Sequence, residues 1–426
     1  MKKISTEQFS LIDRKNQENL EKITSVLNEA GYECYLIGGS VRDMLMNRVP
    51  HEYDLAVSAE PEEVKKLFRK VIETGLKHGT VTVLIDGFPY ELTTFRKDID
   101  YIDGRHPERV EFGATLSEDM KRRDFTMNAI ALNIRTGDLT DENEGISDIQ
   151  KRVIRTIGNA VERFTEDGLR PIRAIRFQSS LDFTIEEETY KAIAKTRHIT
   201  AKISTERFHD EFIKILKTEK PGKAVIELIR NRIFSLFWGD ISEKETESVM
   251  NLDSLPNVLN LRLAYFYDTQ TDSEKKWEIL ENSMKRLRFS NEKIRESSVY
   301  IRSVNEFQNI EYMDDYGRRK FLSFLSMNIG KKNAPVIIEN LKHWWLLKNV
   351  RSHETLAENL KKELSSDAAL LLSDLKINGD ILSSRFPNLP KKEYGTILKS
   401  SLDYILKHPE KNTEKDLLEF ISKISG

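Results

Sequence analysis

Leu20, Ile23, Val26, Leu27 and Ala30 recur at helical spacing and stop at Gly31, a residue suited to a left-handed helix end. The apolar run CYLIGG (34–39) then predicts a strand that enters paired glycines. YDLAV (53–57), VTVLI (81–85) and YELTTF (90–95) predict further strands, with Asp86-Gly87 as a turn signal. Between the first two strands, VRDMLMNR (41–48) predicts a short helix. Pro61 with Glu62 and Glu63 marks another helix start, because proline loses no helical N–H there and the acids face the positive end of the dipole. Near residue 150 the texture changes from short β-type runs mixed with helices to long helical patterns that continue to the end. No internal repeat or low-complexity segment interrupts them, and Pro221-Gly222, Gly239 and Gly330 are plausible joints.

A chain of 426 residues is too long for one core and predicts roughly two to four domains. With 39% hydrophobic and 32% charged residues it has the balance of an ordinary globular protein. No apolar run approaches the ~18 residues that span a bilayer, and the opening MKKISTEQFS lacks the apolar core of a signal peptide. The one cysteine, Cys34, can form no internal disulfide, so a reducing cytoplasm is the expected compartment. One cysteine and scattered histidines suggest no zinc site. The 67 basic and 69 acidic side chains nearly cancel, so bulk charge names no partner. Local basic clusters at Lys285/Arg286/Arg288, Arg318/Arg319/Lys320 and Lys391/Lys392 read either as phosphate contacts or as solvated helix faces.

The chemistry concentrates between residues 35 and 58. Gly38, Gly39 and Ser40 lie between a predicted strand and a predicted helix, where a turn with bare backbone N–H groups can cradle phosphates or simply reverse the chain. Glu52 and Asp54 flank Tyr53 in a predicted strand, whose two-residue period points both carboxylates to one face. Two close carboxylates repel unless a cation lies between them, and Mg²⁺ is held by one or two such groups with substrate phosphates completing the octahedron. A phosphate cradle beside such a pair suggests nucleotidyl transfer; two exposed acids at a strand end are the alternative.

Further motifs decide between these readings. GGSVRD followed by Glu-x-Asp, TGLKHGTV (74–81), RRDFTMNA (122–129), EDGLRPIRAIRF (166–177) and, near the C-terminus, LKINGDIL (375–382) resemble, in order and spacing, the motifs of the class II tRNA nucleotidyltransferases, the CCA-adding enzymes and their poly(A) polymerase relatives. The resemblance covers nearly the whole chain. It implies an α/β nucleotidyltransferase head with a small mixed or antiparallel sheet over residues 1–148. An all-α remainder would follow: a neck with nucleotide-recognition helices (149–215), a body (216–320) and a tRNA-binding tail (321–426). It further implies addition of CMP and AMP to tRNA 3′ ends from CTP and ATP, with Mg²⁺ as the metal and the tRNA acceptor arm as partner. No protein partner and no membrane are expected. TGLKHGTV resembles the CCA-type enzymes more than poly(A) polymerases; an A-adding enzyme remains the other possible product class.

The roles carried over are specific. Glu52 and Asp54 would hold the metal, with Glu91 on a neighbouring strand as a third catalytic carboxylate or a plain surface acid. Gly38, Gly39, Ser40 and Arg42 would seat the triphosphate, and Arg123 with Asp124 would position sugar and phosphates. Asp167, Arg170, Arg173 and Arg176 are spaced by three and drift slowly around one helical face. In the family the carboxylate and first arginine imitate a pairing base. Cytosine and adenine both present an exocyclic amine beside a ring-nitrogen acceptor, whereas uracil and guanine present a carbonyl that would oppose the carboxylate. Gly168 and Pro171 are expected in the first turn of that helix. Residues 95–112 read as a polar, mobile loop containing His106, and the tryptophan pair Trp344/Trp345 reads as helix core rather than an RNA platform. His51 and His78 receive no catalytic role. One departure stands out: most relatives carry Asp-x-Asp where this chain has Glu52-Tyr53-Asp54, and the extra methylene bears on a metal that tolerates geometric error poorly. A tRNA- or nucleotide-binding protein with weakened catalysis is therefore the reading from a different class.

Overall fold

The computed structural model describes residues 2–101, 107–238, 246–270 and 275–424. These form two compact units, Met1–Ile215 with Glu227–Gly239, and Leu216–Ile226 with Asp240–Gly426.

Among its described residues the first unit has twelve strands: β1 (Lys2–Lys3), β2 (Cys34–Ile37), β3 (Asp54–Val57), β4 (Val71–Gly75), β5 (Thr80–Ile85), β6 (Phe88–Thr94), β7 (Arg96–Tyr101), β8 (Pro107–Phe112), β9 (Ala131–Leu132), β10 (Asp138–Thr140), β11 (Val153–Ile154) and β12 (Thr184–Ile185), the last two a parallel pair inside the neck expected to be all-α. Eight of them make one sheet in the order β1-β10-β9-β2-β3-β6-β5-β4. Its pairs are antiparallel except β3 with β6, which run parallel with Asp54 opposite Glu91. The helix Arg14–Glu29 buries Leu20, Ile23 and Leu27 and ends before Gly31, whose φ of 85° is the left-handed geometry expected from the sequence. Asp86 and Gly87, with φ of 52° and 86°, close the β5–β6 hairpin as the turn signal predicts. Ile37, Ala56, Phe95, Met120, Ala129 and Ala131 form a shared core that fixes the sheet against the segment carrying RRDFTMNA.

Three expectations need correction. Strand β3 starts at Asp54, so Glu52 and Tyr53 belong to the lead-in and strand alternation does not set Glu52. Residues 96–101 and 107–112, expected in a loop, pair as the antiparallel hairpin β7–β8, in which backbone N–H and C=O groups are satisfied by a ladder; residues 102–106, including His106, lie outside the described residues. The expected recognition helix starts at Arg170 and runs to Leu181 with Pro171 in its first turn, leaving Asp167 and Gly168 in the link that follows the helix Ala160–Glu166.

The second unit is helical throughout its described residues. Trp344 and Trp345 are buried in the helix Ala334–Leu347, and the Trp344 ring meets Tyr265 edge-on at 5.4 Å, as the core reading predicts. Arg262, also buried, donates to the carbonyls of Leu216, Thr218 and Leu255. The first two lie at and just past the end of the helix Thr205–Leu216, and Leu255 follows the turn Asn251–Ser254, places where carbonyls lack a helical partner. Among the described residues no helix is long and apolar enough to cross a membrane.

The link 167–169 is held close to the chain at 199–200: a Cβ built on Gly168 would lie 2.7 Å from the Ile199 carbonyl oxygen. Gly168→Ala is therefore expected to destabilise the first unit by roughly 1–3 kcal/mol and to displace Asp167. Denaturant melts beside a Gly395→Ala control, where a Cβ meets nothing within 4 Å and the backbone is not left-handed, check it.

Candidate active site

The strand-to-helix turn after β2 is made possible by Gly38, whose φ of 83° a residue with a side chain rarely adopts. A Cβ there would approach Asp54 Oδ2 at 3.6 Å and Arg123 Nη1 at 3.9 Å, so the bare backbone sits between the two side chains. Gly38, Gly39, Arg42, Glu52, Asp54, Arg123, Asp124, Asp167, Arg170, Arg173 and Arg176 all line one cleft of about 610 Å³. Sequence separations of more than a hundred residues collapse there because the sheet core places the turn beside the segment 122–129, and the helix Arg170–Leu181 packs across it.

Two expected residues lie elsewhere. Ser40 is buried with its hydroxyl donating weakly to the Ile37 carbonyl at 3.4 Å, so its side chain serves the turn and not the cleft. Glu91 lines a neighbouring cleft of about 520 Å³ that also includes Glu52 and Asp54.

The electrostatics follow from this packing. Burial and the adjacent Glu91 carboxylate push Asp54 up to about 6; Glu52 adds to the rise and Arg123 opposes it. A carboxyl group raised in this way by its acidic neighbours marks a local excess of negative charge that a cation would relieve. Among the described residues no group of three or more His, Cys, Asp or Glu side chains converges as a metal cage.

Asp124 has the opposite balance. Burial alone would raise it, but the Arg173 guanidinium, donating at 2.8 Å, and Asn128 hold it down at about 2. Asp119 is likewise buried and lowered by Arg123 and Arg122, which bond it at 3.0 and 2.6 Å. Arg176 pairs with buried Glu211 at 2.6 Å. Arg170 turns from the expected base-facing position toward Glu166 at 2.5 Å and the carbonyls of Arg163 and Arg122 at 2.7 and 3.1 Å. Arg42 donates to Asn128 Oδ1 at 2.8 Å and to Asp43.

Several groups escape the sequence reading. Phe177 presents its ring to Arg42, Arg173 and Arg176, whose guanidinium carbons lie 5.3, 5.5 and 4.1 Å from its centre. Arg122, Asn128 and Lys214 also line the cleft. Arg207 clasps Asp167 with two bonds of 3.0 and 2.8 Å. A signal for the last group existed: in TERFHDEFIKIL, Arg207, Glu211 and Lys214 fall four and three apart on one helical face, opposite buried Phe208, Phe212 and Ile215.

Residues 34–155 match the family described as "Poly A polymerase head domain", and residues 182–239 match "Probable RNA and SrmB- binding site of polymerase A". A protein of Lactobacillus johnsonii named CCA-adding enzyme is 53% identical over 44% of this chain and 47% of its own length. The match thus spans about half the length of the first curated relatives. A CCA-adding enzyme of Leuconostoc mesenteroides is 40% identical over 62% of this chain and 68% of its own. The crystal structure of the Bacillus stearothermophilus CCA-adding enzyme in complex with CTP superposes over 97% of this chain and 98% of that one, with a TM-score of 0.79 and 27% identity. Coverage of more than two thirds of a curated relative at 40% identity, together with a cleft that gathers the motifs, establishes that the chain belongs to the CCA-adding enzyme family.

Proposed function

We propose that the protein adds CMP and AMP to the 3′ end of tRNA without a nucleic-acid template, making or repairing the CCA terminus from CTP and ATP with release of pyrophosphate. The observation that carries this reading is the cleft itself, in which the paired acids Glu52 and Asp54 face a wall of arginines across a glycine turn. The likeness to an enzyme crystallised with CTP supports it. A compartment that keeps thiols reduced, the cytoplasm, suits the buried Cys34, whose thiol burial pushes up to about 12.

Glu52 and Asp54 would hold Mg²⁺, which when bound supplies charge to the reacting phosphate and lowers the pKa of the attacking hydroxyl. Gly38 and Gly39 let the triphosphate approach the backbone, while Arg42 and Arg123 face its charge. Asp124, kept ionised by Arg173, anchors the arginines and borders the sugar. Glu91, in register with Asp54 on β6, faces the primer side from the adjoining cleft. Asp167 accepts from the exocyclic amine of cytosine or adenine, and Arg170 donates to the ring nitrogen by exchanging one of its present partners. A uracil or guanine carbonyl would leave two acceptors opposed, a penalty of roughly 1–3 kcal/mol or more for the charged group. The tail binds the acceptor arm by shape and phosphate contact.

The decisive experiment offers tRNA ending before CCA, after C and after CC, each with CTP, ATP, UTP and GTP. Ordered incorporation of C, C and A is expected; growth only from a primer ending in CC would make the protein an A-adding enzyme, and long A tails on many RNAs a poly(A) polymerase. Glu52 lies outside the strand and is exposed, so its longer side chain has room to reach the metal. Incorporation by the unaltered protein is therefore expected; none until Glu52→Asp is introduced would instead identify a degenerate catalytic site.

Asp54→Asn should abolish incorporation, by about a thousandfold or more. Because the folded pKa of Asp54, about 6, lies above its ordinary 3.8, its stability contribution is greatest below pH 4 and is lost as pH rises through 6. Asp54→Asn is accordingly expected to raise stability in metal-free buffer at pH 7 by up to roughly 2–3 kcal/mol, with the gain shrinking toward pH 4. Thermal melts across that range measure it.

A further inference from the structure

Asp167 lies outside the helices on either side of it, and its carboxylate is held from a third element. Arg207, near the start of the helix Thr205–Leu216, donates from Nη1 to Oδ1 at 3.0 Å and from Nη2 to Oδ2 at 2.8 Å. The backbone N–H of Leu169 donates to Oδ1 as well, at 3.0 Å. A carboxylate oxygen accepts about two hydrogen bonds, so Oδ1 is filled while Oδ2 keeps one acceptor position among the described residues. Asp167 lines the cleft and Arg207 is not among its lining residues. The fork fixes the plane of the carboxylate as well as its distance, which a single ammonium cannot do. An ion pair of purely structural use would not distinguish one nucleotide from another.

We propose that Arg207 is a specificity-determining positioning residue, which locks the Asp167 carboxylate so that a single oxygen, Oδ2, meets the incoming base. With one fixed acceptor, an exocyclic amine is taken and a carbonyl at the same place is refused. A carboxylate free to rotate could turn away from a carbonyl or admit a bridging water, and the refusal would weaken. This inference rests on the base-reading assignment of Asp167 made above.

The test uses the full chain, a tRNA lacking its terminal CCA, and single-turnover incorporation from CTP and from UTP. Arg207→Leu is expected to lower the CTP-to-UTP ratio of kcat/KM by about tenfold or more, and Arg207→Lys to recover only part of it. In an Asp167→Ala background the same Arg207→Leu change is expected to lower the ratio no further. Melting curves report whether each variant is folded; if Arg207→Leu is not, Arg207→Lys carries the comparison. Equal slowing of CTP and UTP by the Arg207 variants, or an undiminished effect without the Asp167 carboxylate, would overturn the assignment to Arg207. If Asp167→Ala alone keeps the unaltered ratio, the base-reading role fails and this inference with it. Loss of discrimination in Asp167→Ala but not in the Arg207 variants sinks only the latter.

Discussion

The ion pair between Asp124 and Arg173 is the constraint on which the cleft depends. Asp124 follows the RR pair in the head and Arg173 lies in the helix Arg170–Leu181, so one half-buried pair fixes the distance between two halves of the site. Removing either partner would leave the other's partly desolvated charge uncompensated, which costs more than the pair contributes. Around it the same logic repeats: Asp119 neutralises Arg122 and Arg123, Glu166 takes Arg163 and Arg170, and Glu211 takes Arg176. These anions are not among the cleft's lining residues, whereas Arg122, Arg123, Arg170 and Arg176 are. The result is a wall whose positive groups face the opening and whose counterions stand behind, an arrangement that holds arginines rigidly while leaving a field for a polyphosphate.

Much of this was legible because local chemistry and tertiary position agree. Gly38 and Gly31 needed positive φ, Asp86-Gly87 needed a hairpin, and Pro171 needed a first helical turn. The failures share a cause. Glu52 was assigned a strand from alternation, yet the ladder begins at Asp54, because pairing with β2 starts opposite Ile37. Ser40 enters the expected phosphate turn through its backbone N–H, and its side chain turns into the core. The contacts of Arg170 with the Arg122 carbonyl, of Arg207 with Asp167 and of Phe177 with Arg42 join distant segments, which spacing along one helix cannot report. The polar, turn-rich stretch 95–112 reads as a mobile loop, yet β7 and β8 within it pair through their backbones, which side-chain polarity does not report.

The two family descriptions end at residue 239, while the fold likeness to the Bacillus stearothermophilus enzyme extends over 97% of the chain. The physical reason lies in what each region must conserve. A cleft that positions charges tolerates few exchanges of type. A helical layer such as that around Trp344 and Tyr265 needs only apolar volume at the right spacing, so its residues can drift while its path persists.

The single parallel pairing in the main sheet, β3 against β6, sets Glu91 abreast of Asp54, and Glu52 with Asp54 borders two hollows at once. The acidic row is thus a partition with a chamber on each side. Whatever occupies one chamber need not be threaded past what occupies the other, and two such occupants would meet at the acids that both chambers share.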